Sequence, residues 1–126
     1  MQVIRRMMLM MAFMASLGGV ARAAGFEIIS QQAAWELMQK PGDYVIVDVR
    51  NEDEYATGHI PNAVLVPLPK LAAVAAEKLP DKEQLLLVYC RSGRRSKLAA
   101  KQLADMGYTQ IKEFGGINTW PYAVVK

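Results

Sequence analysis

Short apolar runs alternate along this chain with stretches whose apolar residues recur at helical spacing. That order predicts an α/β domain with a mainly parallel sheet. Phe26 to Ile29 reads as a short first strand. Ser30 is a suitable cap for a helix over Gln31 to Gln39, with Ala34, Leu37 and Met38 on one face, and Pro41-Gly42 ends it. Tyr44 to Val49 is nearly continuous in β-branched residues, as suits a strand covered on both faces. Asn51 to Ala56 reads as a short helix stopped by Gly58, and Ala63 to Val66 as a second short strand. Leu68, Leu71, Ala72, Ala75 and Leu79 keep helical spacing up to Pro80 and Asp81. Leu85 to Tyr89 is the most apolar strand. A helix over Ser96 to Met106 follows, with Ala99, Ala100, Leu103 and Met106 on one face and Gly107 as its C-cap. Ile111 to Phe114 is a last strand, and Gly115-Gly116 turns the chain into a short terminal helix holding Trp120.

The N-terminus breaks this alternation. Arg5 and Arg6 precede an uncharged apolar run from Met7 to Leu17, Gly18-Gly19 breaks it, and Ala21-Arg22-Ala23 offers small residues where a signal peptidase reads. This predicts a cleavable signal peptide over residues 1–23 and a mature domain over 24–126, exported to the periplasm by the general secretory route or, less in keeping with Ile4, the twin-arginine route. The apolar run is shorter than the ~18–20 residues that span a bilayer, so no stable membrane insertion is expected after processing. Processing also changes the charge. The precursor carries 15 basic and 12 acidic residues, and Arg5, Arg6 and Arg22 leave with the signal while no acid does, which brings the two signs level. A balanced domain has no global basic field for nucleic acid. At 126 residues the chain suits one domain, expected as a monomer.

Cys90 is the only cysteine, so an internal disulfide is impossible and the thiol is either reactive, an intermolecular linker or merely buried. Its surroundings favour reactivity. The segment Cys90-Arg91-Ser92-Gly93-Arg94-Arg95-Ser96 lies between a strand's carboxyl end and a helix start, where binding crevices form in open α/β sheets. A tight loop there turns backbone N–H groups inward, Gly93 allows the bend, and the helix start adds positive potential. The same field favours a thiolate, and the three arginines can fork onto an oxyanion. A cysteine phosphatase needs an arginine after five intervening residues, but that position is Ser96. The loop is one residue shorter, with Arg95 at its end, and suits a persulfide and a sulfur oxyanion better than a phosphoryl group.

This loop resembles the six-residue active-site loop of rhodanese-family sulfurtransferases. Two more stretches are similar to the same family: Asp48-Val49-Arg50 with Glu54-Tyr55 and Gly58-His59-Ile60-Pro61-Asn62-Ala63, and Phe114-Gly115-Gly116-Ile117 with Trp120. The resemblance covers about residues 26 to 125. Asn62 stands where many members have glycine, and asparagine also tolerates left-handed backbone angles. The resemblance implies a three-layer fold with a mainly parallel five-stranded sheet flanked by helices, and no cofactor or metal. It implies that Cys90 takes the outer sulfur of a small anionic donor such as thiosulfate as a persulfide and passes it to a thiophilic acceptor, cyanide or a thiol. The loop from Arg91 through Ser92, Gly93, Arg94 and Arg95 to Ser96 would hold the substrate, with Arg91 and Arg95 the first choices for the donor's sulfonate. Asp48 and Arg50 would support the site from the sheet. His59 would fix a turn rather than act as a base. Glu52, Asp53 and Glu54 suit a helix N-terminus rather than a metal, and Trp35 and Trp120 suit packing. The alternative is a non-catalytic periplasmic sulfur or redox carrier that docks on a partner through Cys90.

Overall fold

The computed structural model describes residues 21–23 and 25–126. The expected signal segment therefore lies almost wholly outside the described residues; only Ala21–Ala23 of it is placed. The strands are β1 (Ala21–Ala23), β2 (Phe26–Ile28), β3 (Tyr44–Asp48), β4 (Val64–Leu65), β5 (Leu85–Cys90) and β6 (Gln110–Gly116). The helices are α1 (Gln31–Gln39), α2 (Glu52–Thr57), α3 (Leu71–Lys78) and α4 (Arg94–Asp105). Among the described residues they form one sheet of order β1-β2-β6-β5-β3-β4. The five strands from β2 to β4 pair in parallel throughout, as expected. The addition is β1, which pairs antiparallel with β2 across the turn at Gly25 and extends one edge of the sheet.

β5 is central, bonded to β3 on one side and β6 on the other, and its residues 86–90 are buried. Its side chains alternate between two cores, as the two-residue period of a strand requires. Leu86, Val88 and Cys90 face a cluster built with Leu71, Ala75, Ala99, Ala100 and Leu103 of α3 and α4. Leu87 and Tyr89 face the opposite cluster, with Ala34 of α1, Ile60, Phe114 and Trp120. The domain therefore has three layers, and Cys90 is set on the α4 side of the sheet by register alone.

The elements follow their expected spans closely, with differences where the site forms. α1 is capped by Ser30, whose Oγ accepts from the Ala33 amide at 3.0 Å. α3 begins only at Leu71, because Leu68–Lys70 winds as a 3₁₀ turn behind Pro67. α4 begins at Arg94, two residues before the expected Ser96, because Gly93 takes φ 106° and turns the chain into the helix at once. β6 continues through both glycines, and the expected terminal helix is a single 3₁₀ turn, Ile117–Thr119, with Trp120 just beyond it. Asn62 has φ 70°, the left-handed backbone expected of it.

Candidate active site

Cys90 ends β5, and the next three residues bend so sharply that the Gly93 amide donates to its Sγ at 3.0 Å. The thiol is recessed, with Cys90 only 1% exposed. Burial pushes its pKa up, but the Ser96 hydroxyl and the amides of Ser96, Gly93 and Ser92 together outweigh burial and hold the thiol below its ordinary value. The loop thus forms the expected inward-facing cradle. It is held from outside by β6 and the segment after it. The Asn118 amide donates to the Arg91 carbonyl at 3.1 Å. Gly116 lies so close under the loop that a Cβ there would sit 1.9 Å from the Arg91 carbonyl oxygen.

The loop side chains separate into two groups. Arg91, Ser92 and Arg94 are exposed, and neither arginine pairs with an acid among the described residues. Arg95 is different. Its guanidinium forks onto the Glu54 carboxylate of α2 at 2.8 and 2.9 Å. The hydrogen bonds from Arg95 hold Glu54 at about 2, well below the usual carboxylate range. Arg95 therefore ties the loop to α2, while Arg91 and Arg94 stay exposed. Glu54 also accepts from the Asn51 amide at 3.0 Å at the start of its own helix. Ser96 is buried in the first turn of α4, where its Oγ lies 3.4 Å from the Cys90 Sγ and donates to Glu113 of β6. Glu113 was not singled out by sequence. The readable signal was its place two residues after Ile111, on the inward face of a strand.

Below the loop, Asp48 and Arg50 are buried and bonded to each other, with Arg50 Nη2 to Asp48 Oδ2 at 2.7 Å. Arg50 also donates to the Gly58 carbonyl at 2.7 Å. The Tyr89 hydroxyl donates to Asp48 at 2.7 Å and accepts from the Ile60 amide at 3.1 Å. Burial first, then the Asp48 charge, pushes the Tyr89 phenol far above its ordinary range, so it stays a neutral donor. This network ties the chain from Gly58 to Ile60 to the end of β5. Tyr89 completes it and was not foreseen. His59 Nδ1 bonds the Tyr55 carbonyl at 3.0 Å and its ring stacks on Tyr55 at 3.8 Å, which fixes the turn between them. Trp35 stacks on Tyr122 and Trp120 packs on Phe114. The cavity of about 310 Å³ that Trp35, Trp120 and Tyr122 help to line includes no residue of the Cys90 loop.

A strand-end cysteine in a six-residue amide cradle, on a parallel sheet with helices on both faces, defines a class of anion-handling thiol proteins. The chain matches the family model described as Rhodanese-like domain over residues 30–122, and it belongs to that family. It is 38% identical over 96 residues to the thiosulfate sulfurtransferase GlpE of Coxiella burnetii, covering 75% of this chain and 87% of that protein. It is 37% identical over 72 residues to the thiosulfate sulfurtransferase PspE of Escherichia coli K12, covering 57% of this chain and 69% of that one. Among solved structures, a rhodanese with anions from E. coli superposes with a TM-score of 0.62 at 34% identity, over 66% of this chain and 98% of that one.

Proposed function

We propose that the protein is a thiosulfate sulfurtransferase that works through a Cys90 persulfide. The Cys90 thiolate attacks the outer sulfur of thiosulfate or a similar donor. A new S–S bond forms, the donor's own S–S bond breaks, and sulfite leaves with the electron pair. A thiophilic acceptor, cyanide or a thiol, then bonds the outer sulfur, and the Cys90 thiolate departs. The observation that carries this reading is the recessed Sγ with amides aimed at it and its pKa held low. Such a site stabilises the thiolate at Sγ, and the same loop amides stand next to the outer sulfur on which a persulfide carries its charge. Arg91 and Arg94, exposed on the loop around the recessed thiol, would meet the sulfonate. The similarity to the two thiosulfate sulfurtransferases supports the donor class.

Incubation of the protein with thiosulfate followed by mass spectrometry tests the reading. The expected result is a gain of one sulfur at Cys90 and continuous turnover when cyanide is added. Cys90→Ser should remove both while leaving the fold intact, since oxygen cannot form the persulfide and serine is nearly the same size. Loading without turnover would instead indicate a sulfur carrier. The proposed compartment is the periplasm, after removal of residues 1–23, with the domain acting as a monomer. The Arg5-Arg6, apolar-run and Ala21-Arg22-Ala23 pattern supports this. No described helix is long and apolar enough to cross a membrane.

A further inference from the structure

Two carboxylates, Asp48 and Glu113, are fully buried among the described residues. Asp48 is answered by Arg50 and Tyr89. Glu113 is answered differently. Its Oε2 accepts from the Ser96 hydroxyl and from the Gly115 amide at 3.0 Å. Its Oε1 makes no hydrogen bond. Lys97 Nζ lies 3.3 Å from Oε1, inside ion-pair range but not aligned to donate, and the Lys97 side chain is 47% exposed. The hydrogen bonds around Ser96 run head to tail: Cys90 Sγ donates to Ser96 Oγ at 3.4 Å, and Ser96 Oγ donates to Glu113.

A serine hydroxyl has one proton to give. With the thiol protonated, that proton belongs to Glu113. With the thiolate present, the hydroxyl must turn to Sγ, and an ionised, buried Glu113 would then keep one amide hydrogen bond and a half-exposed Lys97 ammonium that is not aligned to donate, so losing the Ser96 proton is costly. We propose that Cys90 and Glu113 share a single proton through the Ser96 hydroxyl, Glu113 holding it while Cys90 is the nucleophile. The proposal rests on the reading of Cys90 as the sulfur-accepting group. In the first half-reaction the Sγ–H proton passes to Ser96 Oγ as the Ser96 proton passes to Glu113 Oε2, so the buried trio keeps one negative charge. The thiolate then takes the donor's outer sulfur and sulfite leaves with the electron pair. In the second half the acceptor bonds that sulfur, the bond to Cys90 breaks, and the departing thiolate recovers its proton by the reverse route. Glu113 touches no substrate and acts as a positioning residue through Ser96. The charges facing the trio are Lys97 and Arg95 of α4. One register step along the sheet is the Glu27–Lys112 pair between β2 and β6, while β5 offers apolar Val88.

The pH profile of Cys90 alkylation by iodoacetamide, an uncharged reagent used without any sulfur donor, tests the sharing. The expected wild-type profile rises in two steps with a plateau between them, because two coupled groups lose their protons as a pair. Glu113→Gln should leave one step. Ser96→Ala should also leave one step and should slow alkylation at neutral pH by about tenfold or more, the loss of a hydrogen bond to a charged group. A single-step wild-type profile, or a plateau that survives in Glu113→Gln, overturns the proposal. If Glu113→Gln does not fold, the Ser96→Ala profile decides it by the same criterion. Absence of sulfur loading from thiosulfate would overturn the functional reading instead, and the alkylation profile is independent of that result.

Discussion

Arg91, Arg94 and Arg95 stand within five residues of each other and meet two different fates, because the loop and helix start separate directions that the sequence leaves adjacent. Arg91 and Arg94 are exposed, whereas Arg95 is claimed by Glu54. A hydrogen bond to a charged group contributes about 1.5–3 kcal/mol, roughly 10- to 150-fold in a specificity constant. Arg91→Ala and Arg94→Ala should lose up to that order with thiosulfate, mainly in KM, and much less with an uncharged persulfide donor. Arg95→Ala should lose activity equally with both, since its contact is with Glu54. Steady-state kinetics of the three variants with both donors checks this, and a selective thiosulfate defect in Arg95→Ala would return that residue to donor binding. Cys90 and its loop were legible because a lone cysteine, a glycine and three arginines are close in the chain. Glu54 and Glu113 were not, because each meets the loop across the fold: Glu54 is 41 positions from Arg95, and Glu113 is 17 from Ser96.

At the scale of elements, the site is a junction of β5, α4, α2 and β6, and two contacts hold it. The first is the Arg95–Glu54 fork. Glu54 titrates near 2 in the folded chain against an ordinary 4.5. Its contribution to stability is therefore complete above about pH 4.5 and is lost as the pH falls toward 2. The side chains are 21% and 25% exposed, and solvent screening keeps the contribution to the order of 2 kcal/mol. Glu54→Gln should lose about that much by urea unfolding at pH 7, with the difference from wild type closing between pH 4 and 2 (about two decades, from the same linkage). The second contact is the approach of β6 to the loop. A methyl on Gly116 would lie 2.3 Å from the Arg91 carbonyl carbon and 2.5 Å from the Ser92 amide nitrogen, both backbone. Gly116→Ala must displace the loop. Displacements of about 1 Å at reacting atoms cost on the order of 100-fold, while overpacking costs about 1–3 kcal/mol. The variant should remain folded by circular dichroism and lose roughly that much turnover. Near wild-type turnover would mean that the loop tolerates the shift. The double glycine was visible in the sequence as a motif, but its reason, contact with a loop twenty-five positions earlier, belongs to the parallel pairing of Cys90 with Gly116.

Over the whole molecule, the apolar runs were enough to read the parallel sheet, since a strand covered on both faces must be apolar nearly throughout. β5 shows this best: the most apolar run is the central strand. The edge was not legible. Ala21–Ala23 reads as a peptidase site, and two alanines around an arginine carry no strand pattern, yet the segment adds to β2 through backbone pairing, which needs no particular side chain. The two readings make one prediction together. The described members of both cores begin at Phe26, and before it Ala21–Ala23 contribute a short edge ladder. Changes confined to such surface positions usually stay within about 0.5 kcal/mol, and for a domain near 100 residues 1 kcal/mol corresponds to about 4–8 °C in Tm. A chain beginning at Ala24 should therefore melt within about 4 °C of one that keeps β1, and should load sulfur from thiosulfate at the same rate, because β2 separates β1 from β6 and the Cys90 loop. Calorimetry and persulfide loading on the two chains check it. A fall of ten degrees or more (~1.5 kcal/mol at the same conversion) would make Ala21–Ala23 part of the folded domain and move the processing site upstream of it.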